Sequence, residues 1–133
     1  MLDLPFNHTV SIVIITVIIS LIAFSNQNVM NRLIFWPPAM QKGQYDRFIT
    51  HGFIHADGTQ LLFNMITLFF FGSVIESFYR QYFYDLGFVL FYLGGLIVAI
   101  IPSYLKHKND HRWASLGASG AVSAVLFAYI LFE

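Results

Sequence analysis

The chain has 133 residues, 57% of them hydrophobic and 18% aromatic, with a mean hydropathy of +0.66. Only 11% are charged, far below the ~25% of a soluble domain, which excludes an ordinary water-soluble fold. The net charge of zero and the absence of cysteine argue against nucleic acid as a partner and exclude disulfides, thiolate metal sites and a cysteine nucleophile.

In chain order, the first apolar run is Leu4 to Phe24, uncharged and rich in Ile and Val. Helical residues rise ~1.5 Å each, so a run of this length crosses a bilayer core of ~30 Å. Met1-Leu2-Asp3-Leu4-Pro5 lacks the basic start of a cleavable leader, so the run is expected to remain as a transmembrane helix. Ser25-Asn26-Gln27-Asn28 ends it. Residues 25–50 mix polar and apolar groups, and Pro37 and Pro38 deny them a continuous helix. They read as a segment at the membrane interface anchored by Trp36.

Gly58 to Ile75 reads as the second span, closed by Glu76 and Arg80. The connection Ser77 to Asp85 carries Tyr79, Tyr82 and Tyr84, as an interfacial belt would. Leu86 to Leu105 is the third span, with Gly94-Gly95 for close helix contact. Lys106 to Arg112 is a hydrophilic loop, and Trp113 to Phe132 is the fourth span. The expected fold is an all-α polytopic membrane bundle in one domain, residues 1–133. Arg32, Lys42, Arg47, Lys106, Lys108 and Arg112 fall on one side and only Arg80 on the other. Charge bias assigns the first side to the cytoplasm.

Polar residues inside such spans are expensive and point to a use. Gln60 and Asn64 lie one helical turn apart on one face. Asn64 reads either as interhelical glue or as an amide donor to a developing oxyanion. His51 and His55 share an i, i+4 spacing, but Gly52 stands where a metalloprotease motif needs glutamate. They read as structural histidines bonded to loop backbone, and no metal or other cofactor is expected. Gly117-Ala118-Ser119-Gly120 opens the last apolar run. It suits either a small-residue packing seam or a serine nucleophile that glycines leave open to approach.

Four segments in order resemble one family. Arg47-Phe48-Ile49-Thr50-His51, the pair His51-Gly52-Phe53-Ile54-His55 and Leu62-Phe63-Asn64-Met65, Phe71-Gly72-Ser73-Val74-Ile75-Glu76, and Gly117-Ala118-Ser119-Gly120 resemble motifs of the rhomboid intramembrane serine proteases. The resemblance covers roughly Tyr45 to the end of the chain. Tyr45 or Asp46 stands where the family usually has tryptophan. The resemblance implies a rhomboid-like bundle with about four of an expected six helices present. It implies hydrolysis of transmembrane protein substrates, with Ser119 as nucleophile and Asn64 with the Ser119 amide as oxyanion hole. Gln60 stands where many members carry a further histidine donor. Gly117, Gly120, His51 and His55 would support the site.

The family's base is a histidine in an Ala-His-x-x-Gly setting, and this sequence contains none. The domain is therefore expected to be C-terminally incomplete and inactive alone, the missing helices coming in cis or from a complementing fragment. The alternative is a catalytically dead relative that binds transmembrane clients. A small transporter would need charged or broken mid-membrane helices, and neither is evident. The expected location is a membrane crossed several times, the inner membrane if the source is bacterial. The resemblance implies a site facing away from the cytoplasm, in conflict with the charge bias.

Overall fold

A computed structural model of the chain describes residues 8–82 and 86–132, without the side chains of residues 82 and 132. Leu4 to Asn7 of the first expected span, Tyr84 of the aromatic belt and Glu133 lie outside the described residues. The elements are α1 (His8–Ser25), α2 (Gln27–Leu33), a 3-10 turn Pro37–Lys42, α3 (Arg47–Thr50), a 3-10 turn His51–Phe53, α4 (Gly58–Tyr82), α5 (Gly87–His107) and α6 (Ser119–Phe132). Three of them, α1, α4 and α5, are long and apolar enough to cross a bilayer. The chain is an integral, multi-pass membrane protein.

Burial follows the logic of a bilayer rather than of water. The inward face of α1 is Thr9, Ile12, Thr16, Ser20 and Ala23, while Ile14, Ile15, Ile18, Leu21 and Ile22 are exposed. Lipid solvates aliphatic side chains as well as a protein interior does, so small and hydroxyl residues take the helix contacts. The same rule places α6 against both α4 and α5. A Cβ on Gly95 of α5 would stand 3.3 Å from Ala121 Cα, and one on Gly120 would overlap Ala99 Cβ. Gly94 has nothing within 4 Å, so of the expected glycine pair only Gly95 makes the close approach.

Two sequence boundaries are corrected. The second span does not close at Glu76: α4 runs on to Tyr82. Glu76 is 1% exposed and turns sideways to cap α1. It accepts from His8 N at 2.8 Å, Thr9 N at 2.8 Å and Thr9 Oγ1 at 2.7 Å. Arg80, one turn on, donates to its other side at 2.9 Å. A carboxylate at a helix N-terminus satisfies orphan amides and meets the positive end of the helix dipole. Gly72, one turn before Glu76, lets the helices cross this closely, since a Cβ there would lie 2.9 Å from Thr9 Cγ2.

The fourth span is also shorter than expected, because α6 is 14 residues starting at Ser119. Residues 113–118 are non-helical instead. Their backbone groups bond elsewhere: Ser115 exchanges hydrogen bonds with Phe35 at 2.9 and 3.0 Å, and Gly117 N donates to His51 O at 2.8 Å. Gly117 has φ +109°, a backbone region open mainly to glycine. The segment around it is therefore a loop packed into protein, not membrane-crossing helix.

The interfacial segment, for its part, is not simply a lipid anchor. Phe35, Ala39 and Met40 form a second core with Ile100, flanked by Trp36, Phe48, Tyr104 and Trp113. The Trp36 indole N–H donates to His111 O at 2.9 Å.

Removing the buried carboxylate takes away the acceptor of the buried Thr9 N–H and hydroxyl. Glu76→Ala should destabilise the chain by roughly 1–3 kcal/mol per buried donor left unsatisfied, read as a fall in melting temperature in detergent, with faster amide exchange at Thr9. Unchanged exchange at Thr9 would rule out the cap.

Candidate active site

The site is built where α4, α5 and the loop before α6 meet. Asp57 and Gln60 form a reciprocal cap at the start of α4. Asp57 Oδ1 accepts from Gln60 N at 2.8 Å, and Gln60 Oε1 accepts from Ala56 N at 2.8 Å. With its oxygen committed, the Gln60 amide presents Nε2 to the loop. A Cβ on Gly117 would stand 2.9 Å from that nitrogen. Gly117 thus lacks a side chain for two reasons: its backbone conformation and the amide beside it.

Ala118, just before α6, is tied to α1 through His55. Ala118 N donates to His55 Nε2 at 3.2 Å, and His55 Nδ1 lies 3.1 Å from Ser20 Oγ, which donates to Phe53 O at 3.0 Å. These partners assign the ring. Nε2 must accept, so Nδ1 carries the proton and donates to the serine oxygen. His55 is fully buried, and burial pushes its pKa down to about 4, only partly offset by the Asp57 carboxylate. His51, also buried, meets the Leu96 carbonyl at 3.2 Å through Nε2, while its Nδ1 has no hydrogen-bond partner. Burial lowers its pKa, and the Leu96 and Phe48 carbonyls oppose that.

Gly117 N and Ala118 N are thereby occupied, and the next amides, Ser119 N and Gly120 N, open α6 without intrahelical acceptors. Ser119 itself is exposed. It borders a cleft of about 140 Å³ lined by His51, Ala99, Ser103, Ser115, Gly117 and Gly120, among others. Gly120 packs on Ala99, eight residues before the end of α5 at His107. At ~1.5 Å per residue this sets the cleft floor roughly 12 Å below that helix end.

The structure therefore brings Ser119, Gly117, Gly120 and His51 to one cleft, with Gln60 and His55 holding the loop behind it. Asn64 does not line the cleft. It sits one turn along α4 from Gln60, and its Nδ2 is buried without a partner. Ser20, Ser103 and Ser115 were not singled out in the sequence. The available signal was weak: hydroxyls at helical spacing in otherwise aliphatic runs. No histidine hydrogen-bonds Ser119 among the described residues, and none of them form a metal-binding cluster.

The His55 wiring has a pH consequence. Its folded pKa lies below the ordinary 6.5, so the unfolded chain holds the proton more tightly. This contribution is complete above pH 6.5 and is lost as pH falls from 6.5 toward 4, amounting to about 3 kcal/mol. Melting temperature should decline over that window, and His55→Gln should flatten the decline. An identical slope in the variant would exclude His55 as the source.

A model of the Rhomboid domain matches residues 42–133. The Bacillus subtilis (strain 168) protein YdcA is 32% identical over 88 residues, 66% of this chain and 41% of that protein. Rhomboid protease GlpG of Enterobacter sp. (strain 638) is 30% identical over 126 residues, 92% of this chain and 41% of that protein. RHOMBOID-like protein 12, mitochondrial, of Arabidopsis thaliana is 30% identical over 126 residues, 83% of this chain and 36% of that protein. The chain spans about two fifths of the length of the curated relatives it matches. With the domain match extending over residues 42–133, the chain belongs to the rhomboid family.

Proposed function

We propose that this chain carries the nucleophile and oxyanion-binding part of an intramembrane serine protease acting on transmembrane protein substrates. The observation that carries this reading is Ser119, exposed at the first residue of a short helix on the floor of a cleft with polar walls. Ser119 Oγ attacks the scissile carbonyl carbon, and the carbonyl oxygen takes the negative charge. Ser119 N–H at the positive end of α6 meets that charge; Gln60 Nε2 beside Gly117 is a further donor, and Asn64, one turn along and outside the cleft lining, becomes one only when its amide turns toward the bound substrate. The unpartnered Asn64 Nδ2 supports a donor role over simple helix glue.

A serine hydroxyl needs a base to take its proton. His55 is committed on both ring nitrogens, and no histidine bonds to Ser119 among the described residues. His51 lines the same cleft with its Nδ1 unpartnered but makes no hydrogen bond to Ser119, so on this reading the base comes from further chain or a complementing fragment. It accepts the Oγ proton, passes it to the leaving amine as the C–N bond breaks, and then activates water to hydrolyse the acyl ester. Ser103, Ser115 and His51 give the cleft the polar lining that holds water. That no histidine bonds to Ser119 among the described residues equally favours a second reading, a catalytically dead relative that binds transmembrane clients.

Three measurements test this. A serine-directed phosphonate should leave the isolated chain unlabelled and should label Ser119 once the base is supplied by further chain or a complementing fragment. Under those conditions Ser119→Ala should abolish reporter cleavage without changing expression. Asn64→Ala should lower turnover about a hundredfold with a smaller loss of stability. Cleavage surviving in Ser119→Ala would end the protease reading, and no labelling in the complemented protein would leave the client-binding one.

A further inference from the structure

Next to the Phe35–Ser115 bridge lies an alcove of about 440 Å³, larger than the Ser119 cleft and lined by Asn31, Ile34, Trp36, Arg47 and Ala114. Its volume falls in the ~300–1,000 Å³ range of small-molecule sites. Its chemistry is set by Arg47, which is only 6% exposed. The guanidinium donates from Nε to Gln44 Oε1 at 3.0 Å and from Nη1 to Ile34 O at 2.8 Å. Both acceptors are neutral, and three of the five guanidinium N–H groups remain for another partner. The adjacent Asp46 carboxylate is held by Arg32 at 3.0 Å. Arg32, Asp46 and Arg47 together therefore leave one positive charge at the alcove. Burial first, and then the Arg32 charge, lower the Arg47 pKa, and the Asp46 carboxylate only partly opposes them; a bound anion would offset them further. Asn31 adds a second donor, because its Oδ1 accepts from Gln27 Nε2 at 2.8 Å and so its Nδ2 is left to donate.

The remaining walls, Ile34, Trp36 and Ala114, are apolar. α2 buries no residue and follows directly on the end of α1 at Ser25, so the alcove stands at the level of the headgroups. The same face carries Lys42, Lys106, Lys108 and Arg112, which attract an anionic leaflet. We propose that this alcove binds the phosphodiester headgroup of an anionic phospholipid, with Arg47 and Asn31 donating to the phosphate oxygens and Ile34, Trp36 and Ala114 against the glycerol. The apolar walls and the interfacial position favour a lipid over free phosphate. The site is independent of the protease reading. A bound headgroup presses on Ile34, Trp36 and Ala114, the neighbours of Phe35 and Ser115, and so stiffens the bridge between them.

The test titrates the full chain in detergent with dihexanoyl-phosphatidylglycerol, dihexanoyl-phosphatidylcholine and inorganic phosphate. Trp36 emission is read in a Trp113→Phe background, together with amide exchange at Phe35 and Ser115. Phosphatidylglycerol should bind saturably and slow exchange at both amides severalfold. Asn31→Ala and Arg47→Lys should each weaken that binding about tenfold, and Gln81→Ala, exposed at the far end of α4, should leave it unchanged. If Arg47→Lys fails to fold, Asn31→Ala decides alone. Equal effects from phosphatidylcholine would mean a nonspecific amphiphile, and equal effects from inorganic phosphate a free-anion site. Either result overturns the proposal, as does binding that Asn31→Ala leaves intact.

Discussion

The backbone of residues 113–118 cannot hydrogen-bond to lipid, and that constraint organises the whole loop-side half of the molecule. A non-helical segment below the membrane surface survives only if protein supplies its partners. Here Phe35 pairs with Ser115, the His51 carbonyl takes Gly117 N–H, and His55 takes Ala118 N–H. Each partner comes from residues 35–55, so the long connection after α1 is the other half of the loop's hydrogen bonding. Its prolines and short turns break it into the pieces that present Phe35, His51 and His55 to three different residues of the loop.

The transmembrane half solves a different problem. In lipid there is no hydrophobic gain from bringing helices together, so association rests on close packing and hydrogen bonds. Gly72 against Thr9, Gly95 against Ala121 and Gly120 against Ala99 provide the packing. Glu76 provides the strongest polar tie, a buried carboxylate surrounded by α1 amides, a hydroxyl and Arg80. The two ends of α1 are thus fastened by different chemistry. Glu76 holds the start, and Ser20, one turn from the end, reaches His55 and through it Ala118.

How much of this was legible in the sequence depends on the range of the interaction that decides each feature. The three long helices follow from uncharged runs, a local property: α5 and the end of α1 agree with the sequence reading to within two residues, while α4 starts at Gly58 as expected but runs on to Tyr82. The start of α6 does not, because hydropathy cannot distinguish Trp113–Ala118 in a helix from the same residues bonded to partners up to 80 residues away. Glu76 read as a helix terminator for the same reason. A charge after an apolar run normally marks the water boundary, whereas here its partners are amides 67 and 68 residues earlier. The Gly117-Ala118-Ser119-Gly120 motif leaves a packing seam and a site both open in the sequence, and the structure buries Ala121 and Val125 in a seam while Ser119 at its end is exposed beside the cleft.

Gln60 shows how a departure from the family pattern can still fit the proposed chemistry. An imidazole at that position would donate well only in one tautomer or when protonated, so its contribution would vary with pH. A carboxamide is neutral across the whole range and always carries donors on nitrogen. Its usual weakness is that its two ends are nearly interchangeable, so either could face the loop. The Ala56 N–H removes that freedom by engaging Oε1, which leaves Nε2 as the end beside Gly117. On the proposed reading, the donor is thus oriented before any substrate arrives, and preorganisation of this kind is what makes an oxyanion site effective. On that reading the titrating groups that remain are His51 in the cleft wall, His55, which must stay neutral to accept from Ala118, and the base that would receive the serine proton.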